Sequence, residues 1–497
     1  MSDTSSAVLA PRPGPAAPGD PHHARRWLIL VMIGLAQLMV VLDATIVNIA
    51  LPTAQQALDF STDDRQWVVT AYALAFGSML LLGGRLADLF GRKRAFLIGL
   101  AGFAAASAVG GAANGFEMLV IARAAQGLFG AVLAPAALSL LTTTFTDGRE
   151  RNRAFGIFGA IAGGGAAVGL LLGGALTQYL DWRWCMFVNI VFAVVAFTGG
   201  WILLHNQRAE SRPKLDIPGT ITASAGLFAL VYGFSNAETH SWSAVSVWGF
   251  LAAGVALLIA FVALQARVER PLLPLRVVVD RNRGGAYLAV FMLGIGMFGI
   301  FLFLTYYLQQ NLGFSPIVSG VAFLPMVATL MITATVATSL LLPRFGPKPL
   351  VTLGMLIAAG GMVWLTGLNA ASTYSHGVLF PLMVLGAGIG LSMAPSMNVA
   401  TSGVESSDAG VASATVNTAQ QIGGSIGTSL LSSIAANAAS SFVADKPRTP
   451  QVMVEASVHS YTTAFGWAAA IFLVGAIVCG LLLKPGPAEQ GEAAVHL

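Results

Sequence analysis

Gly84-Arg85-Leu86-Ala87-Asp88-Leu89-Phe90-Gly91-Arg92-Lys93-Arg94 stands between two long apolar runs. A turn this short and this charged, between segments of membrane length, reads as a cytoplasmic loop joining two transmembrane helices. Gly84 and Asp88 lie four residues apart, as do Asp88 and Arg92. Gly91 can supply the tight turn at the helix end, because glycine adopts a positive φ without steric cost.

Composition agrees with that reading. Of the 497 residues 56% are hydrophobic and 10% charged, and mean hydropathy is +0.75. A soluble domain carries about 25% charged residues, so most of this chain is expected to lie in lipid. The net charge of +4 reflects loop Lys and Arg and gives no sign of a nucleic-acid partner. Cys185 and Cys479 lie at or in apolar segments and offer neither a disulfide framework nor metal-ligand spacing. Residues 1–26 are rich in Pro, Ala, Ser and Gly and read as a disordered tail. They lack the order of a cleavable signal peptide, so the first span is expected to remain as a signal anchor.

With roughly 20 apolar residues needed per crossing, fourteen spans are predicted. They lie near 27–51, 65–87, 94–113, 117–141, 154–180, 186–205, 217–235, 244–266, 284–309, 316–341, 348–369, 377–402, 408–437 and 461–483. With both termini cytoplasmic, Arg25, Arg26, Arg85, Arg92, Lys93, Arg94, Arg149, Arg151 and Arg153 fall inside, as do most later Lys and Arg. The outer side collects only Arg65, Arg183, Lys446 and Arg448, the asymmetry of correctly assigned spans.

An internal repeat divides the chain. Phe90-Gly91-Arg92-Lys93 with Gly99 matches Phe345-Gly346-Pro347-Lys348 with Gly354 at an offset of 255. Gly130, Ala134 and Pro135 match Gly390, Ala394 and Pro395, and Gly163-Gly164 matches Gly423-Gly424, both at an offset of 260. Two homologous six-helix bundles, 27–205 and 267–483, are expected, with two helices inserted in 206–266 and a cytoplasmic tail from 484 to 497. Parallel halves of this kind hold a site at their interface near the midplane.

Few polar groups lie at depth. Asp43, in Leu42-Asp43-Ala44-Thr45-Ile46-Val47-Asn48, is the clearest candidate for chemistry. An acid inside a bilayer costs about 2.5–3.5 kcal/mol on insertion scales, so it faces a cavity or a partner. It suits a group that gains and loses a proton; a structural hydrogen bond is the plainer alternative. Arg123, in Arg123-Ala124-Ala125-Gln126-Gly127, cannot shed its proton and needs an anionic or carbonyl partner. The sequence leaves open whether Asp43 is that partner. Gly165, Gly169, Gly173 and Gly174 place a bare stripe on the fifth span, which lets a neighbouring helix approach closely.

These motifs together resemble the major facilitator superfamily, and within it the fourteen-span drug:proton antiporter family. The opening stretch resembles the loop between the second and third spans of such transporters, with Leu89 where a basic residue is usual. The Asp43 run resembles the first-span motif, and Arg123 to Gly127 the fourth-span motif, associated with proton coupling. The glycine stripe resembles the antiporter motif, with Leu170 in place of its proline. Trp182-Arg183-Trp184 with Phe187 and Asn189 resembles the following loop, with Val191 in place of a proline.

The resemblance implies an all-α integral membrane protein with the major facilitator fold, 14 transmembrane helices arranged 6+2+6, and both termini cytoplasmic. It implies proton-coupled efflux of hydrophobic or cationic drugs across a bacterial cytoplasmic membrane, with the proton gradient and no cofactor as driver. Protons, a lipophilic small molecule and the bilayer are the expected partners, with no nucleic acid and a monomeric state. Asp43 and Arg123 would couple protons. Gly84, Asp88, Gly91, Arg92 and Lys93 would latch one access state. Tyr72, Gln126, Phe298, Tyr306, Asn417 and Gln421 are candidates for the substrate cavity, with Phe301, Tyr307 and Gln310 nearby. A dedicated exporter of one natural product, siderophore or lipid is the alternative. A membrane-embedded enzyme is more remote, since neither a His-Glu-x-x-His metal motif nor a Walker-type Gly-Lys-Ser/Thr motif occurs.

Overall fold

The computed structural model describes residues 25–61, 64–145, 148–204, 216–240, 242–268, 271–401, 404, 409–447 and 449–486, and these are helical nearly throughout. The long helices are α1 (Arg26–Leu58), α2 (Gln66–Phe90), α3 (Arg92–Gly111), α4 (Phe116–Thr144), α5 (Gly148–Tyr179), α6 (Trp184–Leu203), α7 (Ile217–Thr239) and α8 (Val245–Gln265). After them come α9 (Arg281–Asn311), α10 (Pro316–Phe345), α11 (Pro347–Leu365), α12 (Tyr374–Thr401), α13 (Ala409–Val443) and α14 (Pro450–Leu482). Among the described residues thirteen helices are long and apolar enough to cross a membrane. The fourteenth, α5, runs for 32 residues and packs along α1 like the others.

Several helices exceed their hydropathy bounds, α1 and α14 by the most. α1 continues past Pro52 to Leu58, and α14 begins at Pro450 rather than near 461. Hydropathy marks the length that lipid covers; a helix with no breaker continues beyond it, and one proline removes only a single backbone hydrogen bond. The added turn of α1 carries Gln55, which matters below.

Packing follows the repeat. α1 lies against α4, α5 and α6, while α3 and α4 pack together and on α2 and α6; α9, α11, α12, α13 and α14 form the corresponding set, with α10 on α12. Gly91 and Gly346, the repeat-related residues before α3 and α11, both have positive φ, at 92° and 75°. Each lets the chain reverse between two antiparallel helices where an L side chain would be strained. α7 and α8 pair with each other, and α7 reaches back onto α2 and α13. A buried hydrogen bond of 3.2 Å from Gln66 Nε2 to Ser235 Oγ joins α2 to α7.

The glycine stripe divides its work. Gly165, Gly169 and Gly173 abut Val41, Thr45 and Ile46 of α1, where a β-carbon would collide with side chain or backbone. Gly174 is one residue on, hence about 100° around the helix, and meets Pro316 and Ile317 of α10 instead. The expected single stripe is therefore two contacts: one inside the first set of helices, the other across to the second.

Candidate functional site

Asp43 sits midway along α1, and its neighbours leave it alone to reach outward. Thr45 Oγ1 donates back to the carbonyls of Val41 and Leu42, and Asn48 Nδ2 to that of Ala44. Such local bonds satisfy the hydroxyl and amide on their own helix. The Asp43 carboxylate has no such recourse and is wholly buried.

Arg123 of α4 supplies its partner. Its Nη1 lies 2.6 Å from Asp43 Oδ2, and the two side chains are 1% and 0% exposed. The same nitrogen donates to Gln126 Oε1 at 2.9 Å, and Nε donates to the Val68 carbonyl of α2 at 3.0 Å. The guanidinium stacks on the Tyr72 ring, 4.4 Å from its centroid. Asp43 Oδ1 accepts from Gln126 Nε2 at 2.9 Å and from Asn189 Nδ2 of α6 at 2.7 Å, and Gln126 Nε2 also donates to Ser107 Oγ of α3 at 2.8 Å. Five helices thus place one ion pair out of water.

The chemistry is constrained. Arg123 stays cationic at any accessible pH, so neutralising Asp43 would strand a buried charge. Removing one member of such a pair costs about 3–5 kcal/mol. A proton on Asp43 therefore has leverage over the packing of α1, α4 and α6. Among the described residues no group of three His, Cys, Asp or Glu side chains could hold a metal ion.

A second polar group joins the two sets of helices at the end where α1 stops and α2 begins. Tyr306 Oη donates to Gln55 Oε1 at 2.6 Å, and Gln309 Nε2 donates to the Ile49 carbonyl at 3.0 Å. Arg65 lies over the Tyr306 ring at 4.2 Å and the Phe303 ring at 5.8 Å, and is itself buried. Gly174 against Ile317 and Gly320 against the Leu170 carbonyl continue this contact along α5 and α10.

The remaining candidates fall as follows. Tyr72 and Gln126, expected in the substrate cavity, are enclosed in the ion-pair cluster, and Tyr306 is enclosed in the inter-set contact. Burial leaves these three no free surface in this conformation. Phe298 packs against Gly424 and borders the apolar cores of both sets. Asn417 is exposed and bonds its own helix at the Ser413 carbonyl, while Gln421 is half-buried beside Gly77 with its Oε1 unpartnered. At the α2–α3 turn, Arg85 Nη2 donates to the Pro271 carbonyl at 2.9 Å and Lys93 Nζ to that of Trp201 at 2.8 Å. The Asp88 side chain, and with it the expected Asp88–Arg92 pair, lies outside the described residues. Gly84 lies 3.7 Å from Pro135 of α4, measured to an added β-carbon.

Sequence reasoning missed Ser107, Gln55 and the role of Arg65, which it placed only among the few basic residues of the outer side. A lone Arg at the start of a span gives no other signal. Asp216, just ahead of the expected span 217–235, is buried at the head of α7. There Asp216 accepts from the Gly219 amide at 2.9 Å and from Gln265 Nε2 of α8 at 2.5 Å, a helix cap rather than a free charge.

Residues 33–428 match the model of the Major Facilitator Superfamily. The chain belongs to that superfamily. Its similarity to the puromycin resistance protein pur8 of Streptomyces alboniger is 48% identity over 476 residues, covering 95% of this chain and 94% of that protein. The cephamycin export protein CmcT of Amycolatopsis lactamdurans is 38% identical over 405 residues, covering 81% and 83%. Among solved structures, a POT family peptide transporter superposes with a TM-score of 0.64 at 17% identity, covering 92% of this chain and 96% of that one. That last likeness is one of fold. This facilitator is therefore a multi-pass membrane transporter, and its relatives are transporters rather than enzymes.

Proposed function

We propose that this facilitator exports a lipophilic antibiotic across the cytoplasmic membrane of a bacterium in exchange for protons, with both termini in the cytoplasm. The buried Asp43–Arg123 pair at 2.6 Å carries the reading. A titratable acid tied to a permanent cation inside the first six helices links protonation to helix packing, and the relatives named for resistance and export supply the direction. Protonation of Asp43 from outside favours the inward-opening state, and substrate from the cytoplasm or inner leaflet favours release of the proton inside. Such coupling requires that proton and drug differ in affinity for the two states.

In this reading the halves 27–205 and 267–483 rock as a monomer about the interface bordered by Phe298, with Asn417 and Gln421 toward the substrate. The turn with Gly84, Asp88, Gly91, Arg92 and Lys93 latches the cytoplasmic side, where Arg85 on the Pro271 carbonyl supports it. No cofactor is needed. The names of the relatives, puromycin and cephamycin among them, favour a single dedicated cargo as the second reading.

Efflux of puromycin and of a fluorescent lipophilic cation from cells carrying wild type or Asp43→Asn, with and without a protonophore, tests both. Energy-dependent efflux lost in the variant and in uncoupled cells is expected. Export of puromycin alone selects the dedicated exporter. Asp43→Asn that exports like wild type refutes the coupling assignment.

A further inference from the structure

Each hydrogen bond reaching Asp43 comes from a donor. Oδ2 faces Arg123 Nη1, and Oδ1 faces the amide nitrogens of Gln126 and Asn189. That arrangement suits a carboxylate and fails a carboxylic acid, whose O–H needs an acceptor. Arg123 can never be one. Gln126 could be one only by turning its amide, which would break its bond from Arg123 to Oε1 and its bond to Ser107. Asn189 is different: it is fully buried, its Nδ2 holds Asp43 at 2.7 Å, and its carbonyl Oδ1 has no partner. A buried, unpartnered amide oxygen ordinarily costs free energy, and here it lies on the group that touches the acid.

We propose that Asn189 is a positioning residue that turns its amide about χ2 when Asp43 takes up a proton, donating Nδ2–H to the carboxylate and accepting the carboxylic O–H through Oδ1. The proton comes from bulk water outside, forms an O–H bond at Asp43 Oδ1, and leaves to bulk water inside; Asn189 gains and loses none. The turn sacrifices no other hydrogen bond, which singles Asn189 out from Gln126. Other titratable or charged groups around the site are Arg123 on α4, Tyr72 on α2, and the Cys185 thiol one turn away on α6, which contacts Thr177 Oγ1 at 3.3 Å. This inference rests on Asp43 as the coupling acid.

The test is pH-difference infrared spectroscopy of the full chain in nanodiscs, with isotope-labelled asparagine, alongside the pH profile of export. In wild type an asparagine carbonyl band shifts in step with the appearance of a carboxylic-acid band. Asn189→Leu abolishes the asparagine shift. It also moves the midpoint of the export profile to higher pH by roughly one unit, because a bond to a charged acceptor is worth more than one to a neutral group. Asn189→Ser, which keeps a donor and an acceptor, brings the midpoint back toward wild type. An asparagine shift that survives Asn189→Leu overturns the inference, as does its absence from wild type, a result that needs no variant to insert. If the carboxylic band and coupled export both persist in Asp43→Asn, the coupling acid is elsewhere and the proposed function fails with it. If Asp43→Asn loses both while the wild-type asparagine band stays still, only the turning amide fails.

Discussion

Replacing Arg65 by Gln should release the contact between the two sets of helices at the α1–α2 end. Arg65 contributes its charge over the Tyr306 ring at 4.2 Å, partly shielded from water. Such a contact is worth about 0.5–2 kcal/mol, the upper value applying when desolvated. Tyr306→Phe removes the bond to Gln55, a further 0.5–1.5 kcal/mol or so. Together they amount to about 1–3.5 kcal/mol, or roughly a five- to several-hundred-fold shift between conformations. Spin labels at Leu180 and Val318, exposed positions on either side of the contact, read that shift as a change in distance populations. Tyr306→Phe alone should shift the ratio about two- to tenfold, and the pair of substitutions more than either. A distribution for Arg65→Gln within roughly twofold of wild type, which is about 0.4 kcal/mol, would refute the reasoning that this contact holds the two sets of helices together.

Gly169→Val and Gly174→Val should fail differently. The first drives a side chain into Thr45 beside Asp43 and lowers the yield of folded protein; the second collides only across the two sets, leaving folded protein whose labelled distances are biased open. Size-exclusion profiles and the same labels separate the two outcomes. Arg85→Ala removes one charged donor from the Pro271 carbonyl, about 1.5–3 kcal/mol before solvent competition, and should slow export several-fold at unchanged expression. Cys185 and Cys479 are both buried free thiols, so neither should react with a maleimide until the protein is denatured, as mass spectrometry would report.

The number of spans was legible because lipid-buried helices need length and apolarity, and both are written locally. The repeat was legible through its breakers: Gly91 and Gly346 stand out since only a reversal at positive φ demands glycine there. Asp43 and Arg123 announced themselves as charges where charge is expensive, but their pairing depended on helix rotation that sequence does not state. The surroundings of Tyr72, Gln126 and Tyr306 were hidden for the same reason. A polar or aromatic group in a span looks alike whether it faces a cavity or closes a cluster. Gln55 was hidden by the assumption that α1 ends with its apolar run.

The two inserted helices make the molecule lopsided. α7 leans on both α2 and α13, while on the far flank α5 and α10 meet through bare glycine. The seam between the halves is thus bridged by a third helix on one side and closed by direct helix contact on the other. Along one flank α7, backed by α8, lies over both α2 and α13; along the other α5 and α10 face each other directly. Any rotation of one set of helices against the other must therefore slide α7 over α2 or α13, while α5 and α10 need only exchange their own contacts.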